Sequence, residues 1–234
     1  IVKNTAISPP TGSYELIVTE SLPVLVIDLD LNTNSGSIIK NHLEMLGLSV
    51  DYQQTYPRFP EIYHSLFICT GTTPDSSPLT YQATETSYFY LLHGGNLYLE
   101  GADFWCDYHV GVFQDLFALR CSESGSSDTD TIIGYPNEFT SGMYFQYAGD
   151  NHSMDQIRPH NASGQPSLLL RNLDPEYINA IANTTPEYKT IGASFEFGGL
   201  IDGPESPSTK LDLMARYADF FNLIQLPTPT PTCS

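Results

Sequence analysis

The stretch Val24-Leu25-Val26-Ile27-Asp28 constrains this chain more than any other. An unbroken apolar run closed by an acid is the pattern of a strand buried on both faces, and such strands belong to parallel sheets covered by helices. The neighbouring segments suit such a sheet. After an Asn/Gly/Ser loop, Ile38, Ile39, Leu43 and Leu46 recur at helical spacing, and Gly47 stands where a helix ends in a left-handed residue. Leu48–Tyr52 predicts a second strand and Leu66-Phe67-Ile68-Cys69 a third. Residues 80–92 predict a helix stopped by Gly94-Gly95, and Asn96–Glu100 a fourth strand. Lys189–Phe197 reads as a late strand. A helix capped at Ser208 comes next, with Leu211, Met214, Ala215, Ala218 and Phe221 on one face.

This β-α-β-β-α-β order with a closing β-α predicts an α/β fold with a doubly wound, mainly parallel sheet. The rhythm breaks around residues 104–187, where Thr131–Ile133, Met143–Tyr147, Ser167–Leu170 and Ile178–Ala182 predict a β-rich insertion. Residues 1–21 hold Pro9-Pro10-Thr11-Gly12 between two β-prone runs, which predicts an N-terminal β-hairpin extension or the last strands of a preceding domain. The α/β domain is expected over 22–224, and a polyproline-type Pro/Thr linker over 225–234.

Charge narrows the partners. Nine Lys+Arg face 27 Asp+Glu, a net charge of −18, so nucleic acid and anionic membranes are poor partners. A composition 41% hydrophobic and 12% aromatic excludes a disordered acidic tail. No apolar run approaches the ~20 residues of a membrane span. The chain opens Ile1-Val2-Lys3, which reads as a mature protein or an excised fragment. Scarce lysine, a hydroxyl-rich composition and the Pro/Thr linker predict an extracellular or cell-surface module whose partners are neighbouring domains or identical subunits. Of four cysteines, Cys106 and Cys121 are expected to form a disulfide and Cys69 to be a buried free thiol. Zinc spacing is missing. Asn-x-Ser/Thr sequons stand at Asn151, Asn161 and Asn183.

Val24–Asp28, Asp51-Tyr52, Leu66–Gly71, Gly94–Asp103 and Gly192–Leu200 together resemble class I glutamine amidotransferase-like domains with a flavodoxin-like fold. The similarity spans about residues 22–223. It is nearest to the trehalose-utilisation-protein-like branch found in secreted multidomain bacterial proteins. The resemblance implies a Gly-x-Cys-x-Gly elbow after the fourth strand and a downstream His-x-Glu pair. Here the strand runs into Gly101-Ala102-Asp103, and the late strand gives Ser194-Phe195-Glu196. Catalytic Cys and His are therefore missing, and cysteine-based chemistry is not expected.

Open α/β sheets bind ligands beyond the carboxyl ends of their strands. That position predicts Asp28, Asp30, Thr70, Thr72, Glu100, Asp103 and Glu196 around one crevice, with Trp105 and Tyr108 as a stacking face. No cofactor is required, but converging carboxylates suit calcium, with Asp28, Glu100 and Asp103 as ligands. These residues are compatible with three functions. The leading one is a non-catalytic amidotransferase-like module for ligand or glycan binding, spacing or assembly. The second is a carboxylate-based glycan hydrolase pairing Glu100 with Asp103 or Glu196. The third is a subunit of an extracellular filament or surface layer built by strand addition.

Overall fold

A computed structural model describes residues 2–4, 14–16 and 22–226, apart from 33, 107–110, 126–127 and 162. Tyr108, Cys233, the 9–12 turn and the Pro/Thr run from residue 227 on therefore lie outside the described residues. β1 (Val2–Asn4) and β2 (Tyr14–Leu16) pair antiparallel, Val2 opposite Leu16, as a two-stranded sheet of their own.

The expected alternation comes next. β3 (Leu22–Asp28), α1 (Gly36–Met45), β4 (Val50–Gln53), β5 (Tyr63–Cys69), α2 (Tyr81–Leu92) and β6 (Asn96–Glu100) appear in that order. Residues 111–184 then supply α3 (Gly111–Leu116), β7 (Leu119–Glu123), β8 (Thr131–Gly134), β9 (Tyr144–Tyr147), β10 (Gln156–Pro159), β11 (Gln165–Asn172) and β12 (Tyr177–Thr184). β13 (Lys189–Ala193), β14 (Leu200–Ile201) and α4 (Lys210–Phe220) close the chain.

One mixed sheet of 12 strands organises the rest, in the order β14-β9-β8-β11-β12-β13-β6-β5-β3-β4, with β10 bridging β12 to β7. β13, β6, β5, β3 and β4 run parallel. From β12 outward every pairing is antiparallel. The β-rich segment is thus no separate layer but an extension of the parallel sheet through the β12–β13 pair.

Alternation along the parallel strands splits the core in two. Val24, Val26, Phe67 and Tyr98 face the side covered by Ile39 and Leu43 of α1 and by Leu213, Met214 and Tyr217 of α4. Leu25, Ile27, Leu66, Ile68, Leu97 and Leu99 face Tyr90 and Leu91 of α2 and Phe113 and Leu116 of α3. All four apolar residues from Val24 to Ile27 are fully buried, each worth about 1.5–3 kcal/mol relative to exposure. That is why the run carries no polar residue until Asp28.

Two sequence expectations shift. The cap of α4 is Thr209, whose hydroxyl accepts the Asp212 N–H at 3.1 Å. Ser208 instead accepts the Tyr144 N–H at 3.0 Å and ties the antiparallel half to this loop. Asn183 is fully buried, and its amide donates to the Leu116 carbonyl at 3.0 Å, so its sequon is sealed inside the fold. Asn161 is exposed, and Asn151 is half-buried. The Cys106–Cys121 disulfide is present, with 5.0 Å between Cα atoms, and Cys69 is a buried free thiol.

Candidate functional site

The carboxyl ends of the parallel strands bring acids together, though not in the set expected from sequence. Glu100 ends β6 with its side chain on the same face as Tyr98, two residues back. It is fully buried; its Oε2 accepts the Tyr98 hydroxyl at 2.5 Å and the Phe197 N–H at 3.0 Å. Glu196, after β13, is also fully buried, and neither of its oxygens has a hydrogen bond of good geometry. The buried hydroxyls of Tyr147 and Tyr217 are likewise unpartnered.

Burial pushes the Glu100 carboxyl up to about 7, against the easing effect of Ser35, Tyr98 and the Phe197 N–H. Burial, together with repulsion from Glu100 and Asp30, pushes Glu196 up to about 8, with the Asn34 side chain easing it only in part. Carboxyls raised in this way bind protons near neutral pH, which relieves the repulsion between two enclosed acids.

Asp28 and Asp30 border the same chamber. Asp28 is 1% exposed and accepts the Tyr52 hydroxyl at 2.5 Å; burial raises its carboxyl. Gly36 opens α1 against it, since a Cβ there would come 2.5 Å from Asp28 Cγ. Asp30 accepts the Asn32 N–H at 3.2 Å, and burial is the main cause that pushes it to about 6. Ser35 accepts the Gly198 N–H at 2.8 Å, closing the start of α1 against the turn after β13. These contacts seal the chamber.

Asp103 stands apart. It is exposed, accepts the Thr73 N–H at 3.0 Å, and lines a cleft with Leu79 and Phe104 on the α2 side of the sheet. Glu100 lies on the α4 side with Tyr98, so Asp103 is not its partner. Among the described residues no group of three His, Cys, Asp or Glu side chains is arranged to hold a metal ion. The calcium set Asp28, Glu100 and Asp103 is therefore not assembled, because its members face opposite sides of the sheet.

Trp105 also departs from expectation. It is fully buried, donates Nε1–H to the Ala193 carbonyl at 2.8 Å, and packs on Phe104 and Phe117. It is core, not a stacking face. Thr70 and Thr72 are buried at the end of β5, and Thr70 Oγ1 donates to the Glu100 carbonyl at 2.8 Å.

That bond fixes the elbow. A Cβ built on Gly101 would come 2.1 Å from Thr70 Oγ1, far inside contact distance. The position where a thiol nucleophile is expected is filled by a threonine hydroxyl. Sequence reasoning missed the half-buried Ser76 and Ser77 and the exposed Tyr81, which share the Asp103 cleft. Their only signal was the Ser-Ser-Pro run after the third strand and a tyrosine just inside the α2 cap.

The fold has known counterparts. No family model matches the chain, and no curated protein matches it. Among solved structures, a β-galactosidase from Rahnella sp. R3 superposes with a TM-score of 0.60 at 10% identity, over 92% of this chain and 33% of that one. The mmIFT52 N-terminal domain gives a TM-score of 0.60 at 8% identity, over 88% of this chain and 100% of that one. A ThuA-like protein from Parabacteroides merdae gives 0.55 at 10% identity, over 90% and 94% of the two chains. This chain thus spans about a third of the galactosidase and nearly the whole of the smaller neighbours. At such identities the likeness is one of fold, and it includes the ThuA-like architecture that the sequence resembles.

Proposed function

We propose that this chain is a non-catalytic, amidotransferase-like module of a secreted or cell-surface protein that works by binding or positioning rather than by turnover. The observation that carries the reading is the closed elbow, in which Thr70 occupies the space any side chain at residue 101 would need. The buried acids support it. Glu100 is sealed from solvent and committed to Tyr98 and Phe197, so no substrate reaches it as the chain stands. A glycosidase pair needs two carboxyls flanking an open cleft, and the exposed Asp103 faces away from Glu100. The Cys106–Cys121 disulfide suits an oxidising compartment. The neighbours support a modular role too, since one much longer chain carries this fold as about a third of its length.

The test is turnover. The purified chain, assayed with glutamine, with activated esters and with a panel of oligosaccharides, is expected to give no product above the buffer rate. Hydrolysis of any of them that disappears in Glu100→Gln overturns the reading in favour of the carboxylate hydrolase.

A further inference from the structure

Beyond the ends of β5 and β6, on the side of the sheet away from the acidic chamber, lies a cleft of about 730 Å³. Its size suits a small ligand. Gly71, at a φ of +76°, turns the chain after β5 so that Thr70 and Thr73 enter one wall. Ser76 and Ser77 continue that wall, and their side-chain hydroxyls make no hydrogen bond among the described residues. Phe104, beside Thr70, and Tyr81, 84% exposed at the start of α2, also line the cleft. Among the described lining residues Asp103 is the one acid, and none is Lys, Arg or His.

We propose that this cleft binds a neutral sugar unit of a glycan. The inference rests on reading the chain as a non-catalytic binding module and names what it binds. The chemistry comes from the walls. Sugar hydroxyls need both donors and acceptors; the serine hydroxyls are free to act as either, and Asp103 has acceptor capacity beyond the bond from Thr73. The C–H face of a pyranose needs an aromatic surface with little else to do, which Tyr81 offers. Among the described lining residues an anionic ligand meets Asp103 and no basic group, and the chain's net charge of −18 disfavours it.

The experiment uses isotope-labelled chain titrated with cellotetraose, mannotetraose and β-1,4-galactotetraose, with spermidine as a cationic counter-probe. At least one neutral oligosaccharide is expected to shift the amide signals of Gly71, Ser76, Ser77 and Asp103. Tyr81→Ala is expected to weaken that binding about tenfold with the melting temperature unchanged, as for loss of one aromatic contact. Ser77→Ala provides a second, smaller loss. No shift with any of the three sugars overturns the site, as does binding that survives both Tyr81→Ala and Asp103→Asn, or a response to spermidine stronger than to every sugar. Absence of both binding and turnover removes the sugar site and leaves the non-catalytic reading standing. A sugar bound in the cleft and then cleaved upholds the site and overturns that reading.

Discussion

Glu100 Oε2 accepts the Phe197 N–H at 3.0 Å and so ties the end of β6 to the turn after β13. The same oxygen takes the Tyr98 hydroxyl. Glu100→Ala strands both donors in a sealed site and is expected to cost about 3 kcal/mol, the scale of a lost buried acceptor plus a small cavity. Glu100→Gln keeps an acceptor and is expected to stay within about 1 kcal/mol of the parent near pH 6. Urea unfolding measures both; an alanine variant with the parent midpoint contradicts the structural role.

Stability should fall as pH rises through neutrality. Glu100 and Glu196 are raised by burial to about 7 and about 8 from an ordinary value of 4.5. Between the ordinary and the raised values the folded chain holds more protons than the unfolded one, so each rise in pH favours unfolding. The protonated carboxyls contribute fully below about pH 4.5, and the contribution is lost as pH passes 7 to 8. Asp28 and Asp30, also raised, act with the same sign. Urea midpoints from pH 5 to 9 should decline, and Glu196→Gln should flatten the decline. A flat or rising profile in the parent chain rules the proton-holding chamber out.

The disulfide closes a separation of 15 residues between the segment before α3 and β7. Constraining such a loop in the unfolded chain is worth about 3 kcal/mol. Replacing both cysteines by serine is expected to lower stability by that order while leaving the sheet intact, since Cys121 sits on β7, paired with β10 away from the parallel core. Far-ultraviolet circular dichroism together with urea unfolding separates the two effects.

Expression in a glycosylating host discriminates the three sequons. Asn161 is exposed and should carry glycan; Asn183, buried and bonded to the Leu116 carbonyl, should not. Peptide mapping that finds glycan at Asn183 contradicts the register of β12 against its neighbours.

The parallel core was legible because its strands are buried on both faces, so burial is written into the sequence as unbroken runs such as Val24–Ile27. The antiparallel half was legible only in part. β8, β9, β11 and β12 announced themselves by β-prone runs, but β7 (Leu119–Glu123) and β10 (Gln156–Pro159) carry charge and proline, and only sheet pairing, of β7 with β10 and of β10 with β12, makes them strands. The acids at the strand ends were legible as residues but not as a set. Glu100 and Asp103 are three residues apart, yet the turn at Gly101 sends them to opposite faces of the sheet. Trp105 was misplaced for a related reason: a tryptophan beside a predicted site looks like a platform until its Nε1–H is seen to be spent on Ala193.

Restoring a cysteine at the elbow should not restore a nucleophile. In Gly101→Cys the new Cβ would lie 2.1 Å from Thr70 Oγ1 and 3.0 Å from Phe104 Cβ. Either β5 gives way at Thr70, breaking its bond to the Glu100 carbonyl, or the turn opens. Overpacking of this kind costs about 1–3 kcal/mol. Removing the obstruction tests the cause: adding Thr70→Ala to Gly101→Cys should recover much of the loss, whereas Thr70→Ala alone should destabilise slightly by removing one of the two bonds that residue 70 makes to the Glu100 carbonyl. Thiol-reactive probes complete the experiment. The Gly101→Cys thiol should react no faster than an ordinary buried cysteine, since it would point toward Thr70 and Phe104, beside Asp103 and with no basic group among the described lining residues to favour a thiolate. A double variant as unstable as the single, or a fast-reacting thiol at residue 101, means that the elbow is open after all.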